Sequence, residues 1–263
     1  MNYWLWLATL ENVGSVRVQS LLRKFKDPER IYKASKKELL EVEGIGEKIS
    51  ENILKNKDEI LISRMSKYME NNGIYQVSIC DKNYPEALKN IYDPPITLFY
   101  KGDIKLANTD CVSIVGSRNA STYGRETAFK IGKDLAQKGY TIVSGMAQGI
   151  DTEAHRGALD AEGKTIAVVG TGLDRVYPLE NYKLCKKIEE KGLVLSEYVV
   201  GTRPDAMNFP ARNRIISGLS DNLIVVEAAR RSGALITVDL ALEQGKNVYA
   251  VPRKYKFTSE SRS

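Results

Sequence analysis

The residues best equipped for chemistry in this chain of 263 amino acids sit in short turns rich in glycine, serine and arginine. They are Gly116-Ser117-Arg118, Gly145 within the run 144–149, Gly170-Thr171-Gly172, and Ser232-Gly233 at the end of the run 227–233. Glycine lets a backbone come close to a ligand and leaves its amides open, while Ser117, Thr171 and Ser232 add hydroxyl donors. Arg118 adds a planar fork that matches a phosphate. The combination predicts a phosphate or phosphodiester site.

Bond-making chemistry is less well supplied. Asp151 and His155 lie four apart in GIDTEAH, on one face of a helix. No nucleophile or ligand cluster accompanies them, so Asp151 is expected to cap its helix and His155 to pack. Glu227 closes an apolar run at the level of the glycine turns, either as a base in a nucleotide-cleaving site or as a holder of an arginine or of the glycine-rich loop. His155 is the one histidine, and Cys80, Cys111 and Cys185 have no CxxC spacing. That argues against zinc and for free thiols in a reducing cytoplasm. The first turn reads VGSRNAST rather than GxGxxG, the next run ends without a ribose-binding acid, and no GxxxxGK[ST] is present. Dinucleotide binding and ordinary ATPase chemistry are therefore not expected, and neither is a cofactor.

The glycine turns close six apolar, β-branched runs: 111–117, 141–145, 165–172, 193–198, 222–228 and 247–252. The segments between them are long enough to cross back over a sheet, and most end in glycine. Runs this apolar are covered on both faces, which predicts a doubly wound α/β domain with a mostly parallel sheet. In such a sheet ligands gather at the carboxyl ends of the strands, where the turns lie.

Residues 1–75 follow a different regime, with helical periodicity and no convincing strand. LLEVEGIGEKISENIL (39–54) has the form of a helix-hairpin-helix, with Gly44 and Gly46 around a tight turn; residues 10–25 are a weaker copy, Val16 standing where the second glycine would be. The turn amides of such an element can hold a DNA phosphate without reading sequence. Residues 76–110 read as a connector with short strands at 76–80 and 96–102. The expected division is 1–75 helical, 76–252 α/β with its connector, and 253–263 a disordered tail.

Bulk properties constrain rather than identify. Hydrophobic residues are 43% and charged residues 27%, an ordinary globular balance. No apolar stretch is long enough to span a membrane, and the apolar start lacks the basic region and cleavage site of a signal peptide. The net charge of +6 is weak support for a nucleic-acid partner, because residues 252–263 hold four basic and one acidic residue.

Six segments together resemble the successive motifs of the DNA-processing protein A (DprA/Smf) family, in that family's order. They are VGSRNAST (115–122), SGMAQGIDTEAHRGAL (144–159), VVGTGLDRVYPLEN (168–181), LSEYVVGTRP (195–204), NFPARNRIISGLS (208–220) and the run 225–252. The resemblance implies a Rossmann-like domain behind a small helix-hairpin-helix-like domain. It also implies a cytoplasmic, non-enzymatic protein that binds single-stranded DNA, helps load RecA in natural transformation or recombination, and forms a homodimer. Carried onto this sequence, it assigns Gly116, Ser117 and Arg118 to a phosphate, and then Phe209, Arg212, Asn213 and Arg214. Two arginines flanking an asparagine at a helix start suit a DNA backbone, and Phe209 offers a face to a base. After Pro252 the family continues with a glycine-containing loop and a short helix. Here residues 253–263 depart from that pattern, which implies an altered or truncated C-terminus and bears on dimerisation and RecA loading. A second reading of the same cleft, with Glu227, is a small-nucleotide-binding or nucleotide-cleaving enzyme on a related scaffold; a third, on the tail alone, is a copy without activity.

Overall fold

The computed structural model describes residues 1–229 and 232–252; the expected disordered tail at 253–263 lies outside the described residues. Six helices come first: α1 (Tyr3–Ala8), α2 (Ser15–Phe25), α3 (Pro28–Lys33), α4 (Lys36–Leu40), α5 (Glu47–Lys55) and α6 (Glu59–Asn71). Their starts are written in the sequence. Asn2, Asp27 and Asp58 accept hydrogen bonds from amides of the first turns of α1, α3 and α6, and Ser35 with Glu38 forms a capping box on α4. Glycine replaces a side-chain cap at the hairpins, Gly14 before α2 and Gly46 before α5. Trp6, Leu21, Ile31, Leu39, Ile53 and Ile62 are buried between these helices, and the apolar cluster runs on without a break into Ile96 and Phe99.

The sheet has eight strands: β1 (Tyr75–Ser78), β2 (Thr97–Gly102), β3 (Cys111–Gly116), β4 (Thr141–Ser144), β5 (Thr165–Val169), β6 (Leu193–Ser196), β7 (Asn222–Val226) and β8 (Asn247–Ala250). The remaining helices are α7 (Glu86–Lys89), α8 (Thr122–Gln137), α9 (Ile150–Asp160), α10 (Tyr182–Lys191), α11 (Asn208–Gly218) and α12 (Gly233–Glu243). Strand order is β1-β2-β6-β5-β4-β3-β7-β8. From β6 to β8 every pairing is parallel, as the apolar runs predict, and β4, β5 and β6 are buried at every residue. The two connector strands are part of the same sheet: β2 pairs antiparallel with β6, and β1 with β2.

Strand order reverses at β3, whose neighbours are β4 on one side and β7 on the other. A doubly wound sheet opens a crevice at the carboxyl ends of its strands where this happens. Buried serines tie the elements around it: Ser113 Oγ of β3 donates to the Ile216 carbonyl of α11 (2.7 Å), and Ser144 Oγ of β4 donates to the Ile114 carbonyl (2.6 Å). Gly116 at the end of β3 has no room for a Cβ, which would run into the Val226 carbonyl and the Ile150 side chain. Gly149, with φ +80°, brings the start of α9 against the backbone of Ser117 and Arg118.

Candidate nucleic-acid interface

A cavity of about 600 Å³ fills the crevice, within the range of about 300–1,000 Å³ typical of ligand sites. Its floor is Val115–Asn119 at the end of β3, and its walls come from α11 (Phe209, Pro210, Arg212, Asn213) and the start of α12 (Ser232, Gly233). Tyr177, Pro204 and Ala206 reach in from loops. Both neighbouring strands turn away through non-glycine residues in the left-handed region, Met146 after β4 (φ 60°) and Glu227 after β7 (φ 51°). Such conformations cost about 1–3 kcal/mol and gather at binding sites.

Arg118 is exposed, and no carboxylate lies within ion-pair distance of it among the described residues. Its guanidinium carbon stands 5.5 Å from the centroid of the Phe209 ring, a cation–π placement that leaves the donor fork for a ligand. Phe209 in turn stacks on Tyr177, with centroids 5.4 Å apart and planes at 27°. Opposite this wall, the first turn of α12 carries no acidic residue, and the buried Ser232 Oγ has no hydrogen-bond partner among the described residues. A helix N-terminus with free amides and a spare hydroxyl attracts an anion. The cavity therefore offers cationic and amide donors on two sides and an aromatic face between.

Arg212 lines the same cavity but is anchored from below. It is 4% exposed, and its Nη1 donates to the Gly145 carbonyl (2.8 Å) and to the Val168 carbonyl. Burial pulls its guanidinium down to about 10, with Arg118 adding to the effect and Asp151 opposing it, so it stays a cation at neutral pH. Asn213 joins α11 to α12 through Nδ2 and the Gly233 carbonyl (3.3 Å).

Several expected site residues have other work. Arg214 turns away from the cavity: it makes a two-pronged ion pair with Glu197 (2.6 and 2.8 Å) and meets Asp93 at 3.1 Å. Gly170, Thr171 and Gly172 line neither this cavity nor its neighbour. Gly170 packs under the Phe209 ring, its carbonyl receiving Asn208 Nδ2 (3.3 Å), and Gly172 lies against Val199 and Val200. Gly145 lines the adjoining compartment rather than this one.

The acid–base candidates are each held by partners within the fold, and of them Asp151 also lines the cavity. Asp151 does not cap α9, whose N-cap is Gly149; its buried carboxylate accepts the amides of Gly145 (3.1 Å) and Ala147 (3.3 Å) and so holds the turn after β4. Burial pushes this carboxyl upward, against Arg212 and the two amides. His155 is fully buried with Nδ1 2.7 Å from Thr165 Oγ1, and burial with nearby Arg212 drives it down to about 3, hence neutral. Glu227 accepts the amide of Ser121 (2.8 Å) and the Ser121 hydroxyl, bracing the start of α8. Of its two expected roles, the one seen is that of holding a loop. Tyr177 was not among the sequence candidates; its one signal is an aromatic beside Pro178, shortly after the third glycine turn.

Residues 76–262 match the family described as DNA recombination-mediator protein A, and residues 7–56 match a SAM-like helix-hairpin-helix tandem. Protein Smf of Synechocystis is 40% identical over 254 residues; the match takes in 95% of this chain and 64% of that protein, so the chain spans less than two thirds of its length. The crystal structure of DNA processing protein A from Streptococcus pneumoniae superposes with a TM-score of 0.85 at 37% identity, over 97% of this chain and 87% of that one. A Helicobacter pylori DNA processing protein A, whose structure concerns its mode of binding single-stranded DNA, aligns at TM-score 0.64 and 34% identity over 69% of this chain and 81% of that one.

Proposed function

Since the chain belongs to the DNA recombination-mediator protein A (DprA/Smf) family, we propose that it binds single-stranded DNA in the cavity at the β3/β7 switch and does no chemistry on it. The carrying observation is Arg118, exposed, without a carboxylate partner among the described residues, and poised over Phe209. A phosphodiester reaches Arg118, the Ser117 turn and the start of α12 while its base meets the aromatic wall, and none of these contacts reads base identity. Asp151, His155 and Glu227 are each committed to backbone or side-chain partners within the fold, which supports a binding protein over a nucleotide-cleaving one.

The family's wider role extends this reading: a cytoplasmic homodimer that protects single strands and helps load RecA in transformation or recombination. No helix among the described residues is long and apolar enough to cross a membrane. The test is fluorescence anisotropy of a labelled single-stranded oligonucleotide at two salt concentrations. Wild type should bind with affinity that falls as salt rises, and Arg118→Ala should lose at least about tenfold. A folded wild type that ignores the oligonucleotide but saturates with a mononucleotide would overturn the proposal in favour of a small-nucleotide site.

A further inference from the structure

Beside the main cavity lies a second compartment of about 370 Å³ that shares the Arg118, Tyr177 and Phe209 wall with it. Its own lining differs in chemistry: Pro178 and Leu179 give it an apolar side, and Gln148 and Glu180 give it polar edges. Leu179 is 73% exposed, an apolar side chain left facing solvent. The Gln148 and Glu180 side chains have no hydrogen-bond or ion-pair partner among the described residues.

Arg118 and Arg212 line both compartments, so a phosphate held by them stays at the shared wall, while the Glu180 carboxylate on this compartment's own edge repels one. A flat, partly apolar group with hydrogen-bond donors does fit. We infer that this compartment seats the base next to the one on the aromatic wall, with Glu180 selecting bases that carry an exocyclic amino group. The inference rests on the single-stranded DNA reading above. A carboxylate only accepts hydrogen bonds. It therefore favours the amino group of cytosine, as carboxylates do in base recognition generally, over the carbonyl that thymine presents at the same position. The strand would then run across the shared wall, its phosphate held by Arg118 and neighbouring bases on either side.

The experiment compares oligo-dC with oligo-dT of equal length at neutral pH, two pyrimidine strands that differ at this group, at N3 and in the C5 methyl, so the Glu180→Ala ratio isolates the carboxylate's part. Binding is measured by anisotropy for wild type, Glu180→Ala, Leu179→Trp and Arg118→Ala. Both altered positions in the second compartment are exposed, so the variants should fold. Wild type is expected to prefer dC by roughly fivefold or more. Glu180→Ala should abolish that preference while holding dT at least as tightly, and Leu179→Trp, which fills the compartment, should weaken both strands. An unchanged dC-to-dT ratio in Glu180→Ala, with wild-type binding of both strands that still depends on Arg118, overturns this inference alone. Failure of wild type to bind either strand overturns the single-stranded DNA reading and this inference with it.

Discussion

Ser15, in the first turn of α2, donates its hydroxyl to the Asp93 carboxylate in the loop before β2. The same carboxylate meets the Arg214 guanidinium at 3.1 Å, and Arg214 is clasped from its other side by Glu197. The first helical hairpin thus spends its helix start on a carboxylate of the chain itself, where a DNA phosphate would otherwise sit. The second hairpin, around Gly44 and Gly46, carries Glu41, Glu43, Glu47 and Glu51; Lys24 pairs with Glu41 and Lys36 with Glu47 and Glu51, while Lys48 has no ion pair among the described residues. The Ser15–Asp93–Arg214 chain of contacts thus docks the first hairpin on the sheet.

Arg214 is accordingly a stability residue. Arg214→Met removes the partner of the half-buried Glu197, and breaking a buried pair from one side costs about 3–5 kcal/mol. Asp93→Asn, at a more exposed carboxylate, should cost about 1 kcal/mol or less. Denaturant unfolding of the two variants checks this ordering. A folded Arg214→Met of wild-type stability that has lost oligonucleotide binding would return Arg214 to the site.

Phe209→Leu keeps an apolar side chain over Gly170 but removes the ring that Arg118 and Tyr177 address. Stacking a base on an aromatic contributes about 1–3 kcal/mol, so affinity for single strands should fall between about fivefold and a hundredfold. The salt dependence should stay as in wild type, because no phosphate contact is lost. Unchanged affinity at both salt concentrations would show that Phe209 only packs.

Glu227→Gln separates a binding protein from an enzyme. The carboxylate holds the amide and hydroxyl of Ser121 at the start of α8, and a Cβ on Gly124 would collide with it. Charge-assisted bonds of this kind contribute about 1.5–3 kcal/mol, so the amide variant should melt lower yet bind oligonucleotide normally at a temperature where it is folded. Turnover of a nucleotide by wild type that Glu227→Gln abolishes would refute the binding-only reading.

Much of this was legible in the sequence. The apolar runs gave away the parallel strands because those strands are buried on both faces, and the glycine turns marked the strand ends because backbones crowd there. The arginines of NFPARNR show where such reading stops. Arg212 and Arg214 are two apart, which on a helix points them to opposite sides, so both cannot face one cleft; that spacing was readable. Their partners were not: Gly145, Val168, Glu197 and Asp93 come from distant segments that only the folded sheet assembles. Tyr177 was hidden for the same reason, since nothing local links it to Phe209. The antiparallel pairing of β2 with β6 is likewise a long-range choice that no local period encodes.

His155 should make stability depend on pH in a range where few other groups titrate. Burial, with Arg212 nearby, holds the folded imidazole at about 3, while an unfolded histidine titrates near 6.5. Between these values the unfolded chain binds the extra proton, so stability is full above about 6.5 and is lost as pH falls toward 3. From pH 7 to pH 5 this one group should remove about 2 kcal/mol. His155→Leu keeps an apolar filling of similar size and cannot titrate, and Thr165 Oγ1 retains its bond to the Ile142 carbonyl. The upward-shifted carboxyl of Asp151 works with the opposite sign in both proteins, and so largely cancels from their difference. Urea unfolding of wild type and His155→Leu at pH 7 and pH 5 should show the wild type losing about 2 kcal/mol more than the variant. Equal losses in the two proteins would mean that the imidazole is protonated in the fold, with an acceptor for Nε2 that opens on the acid side.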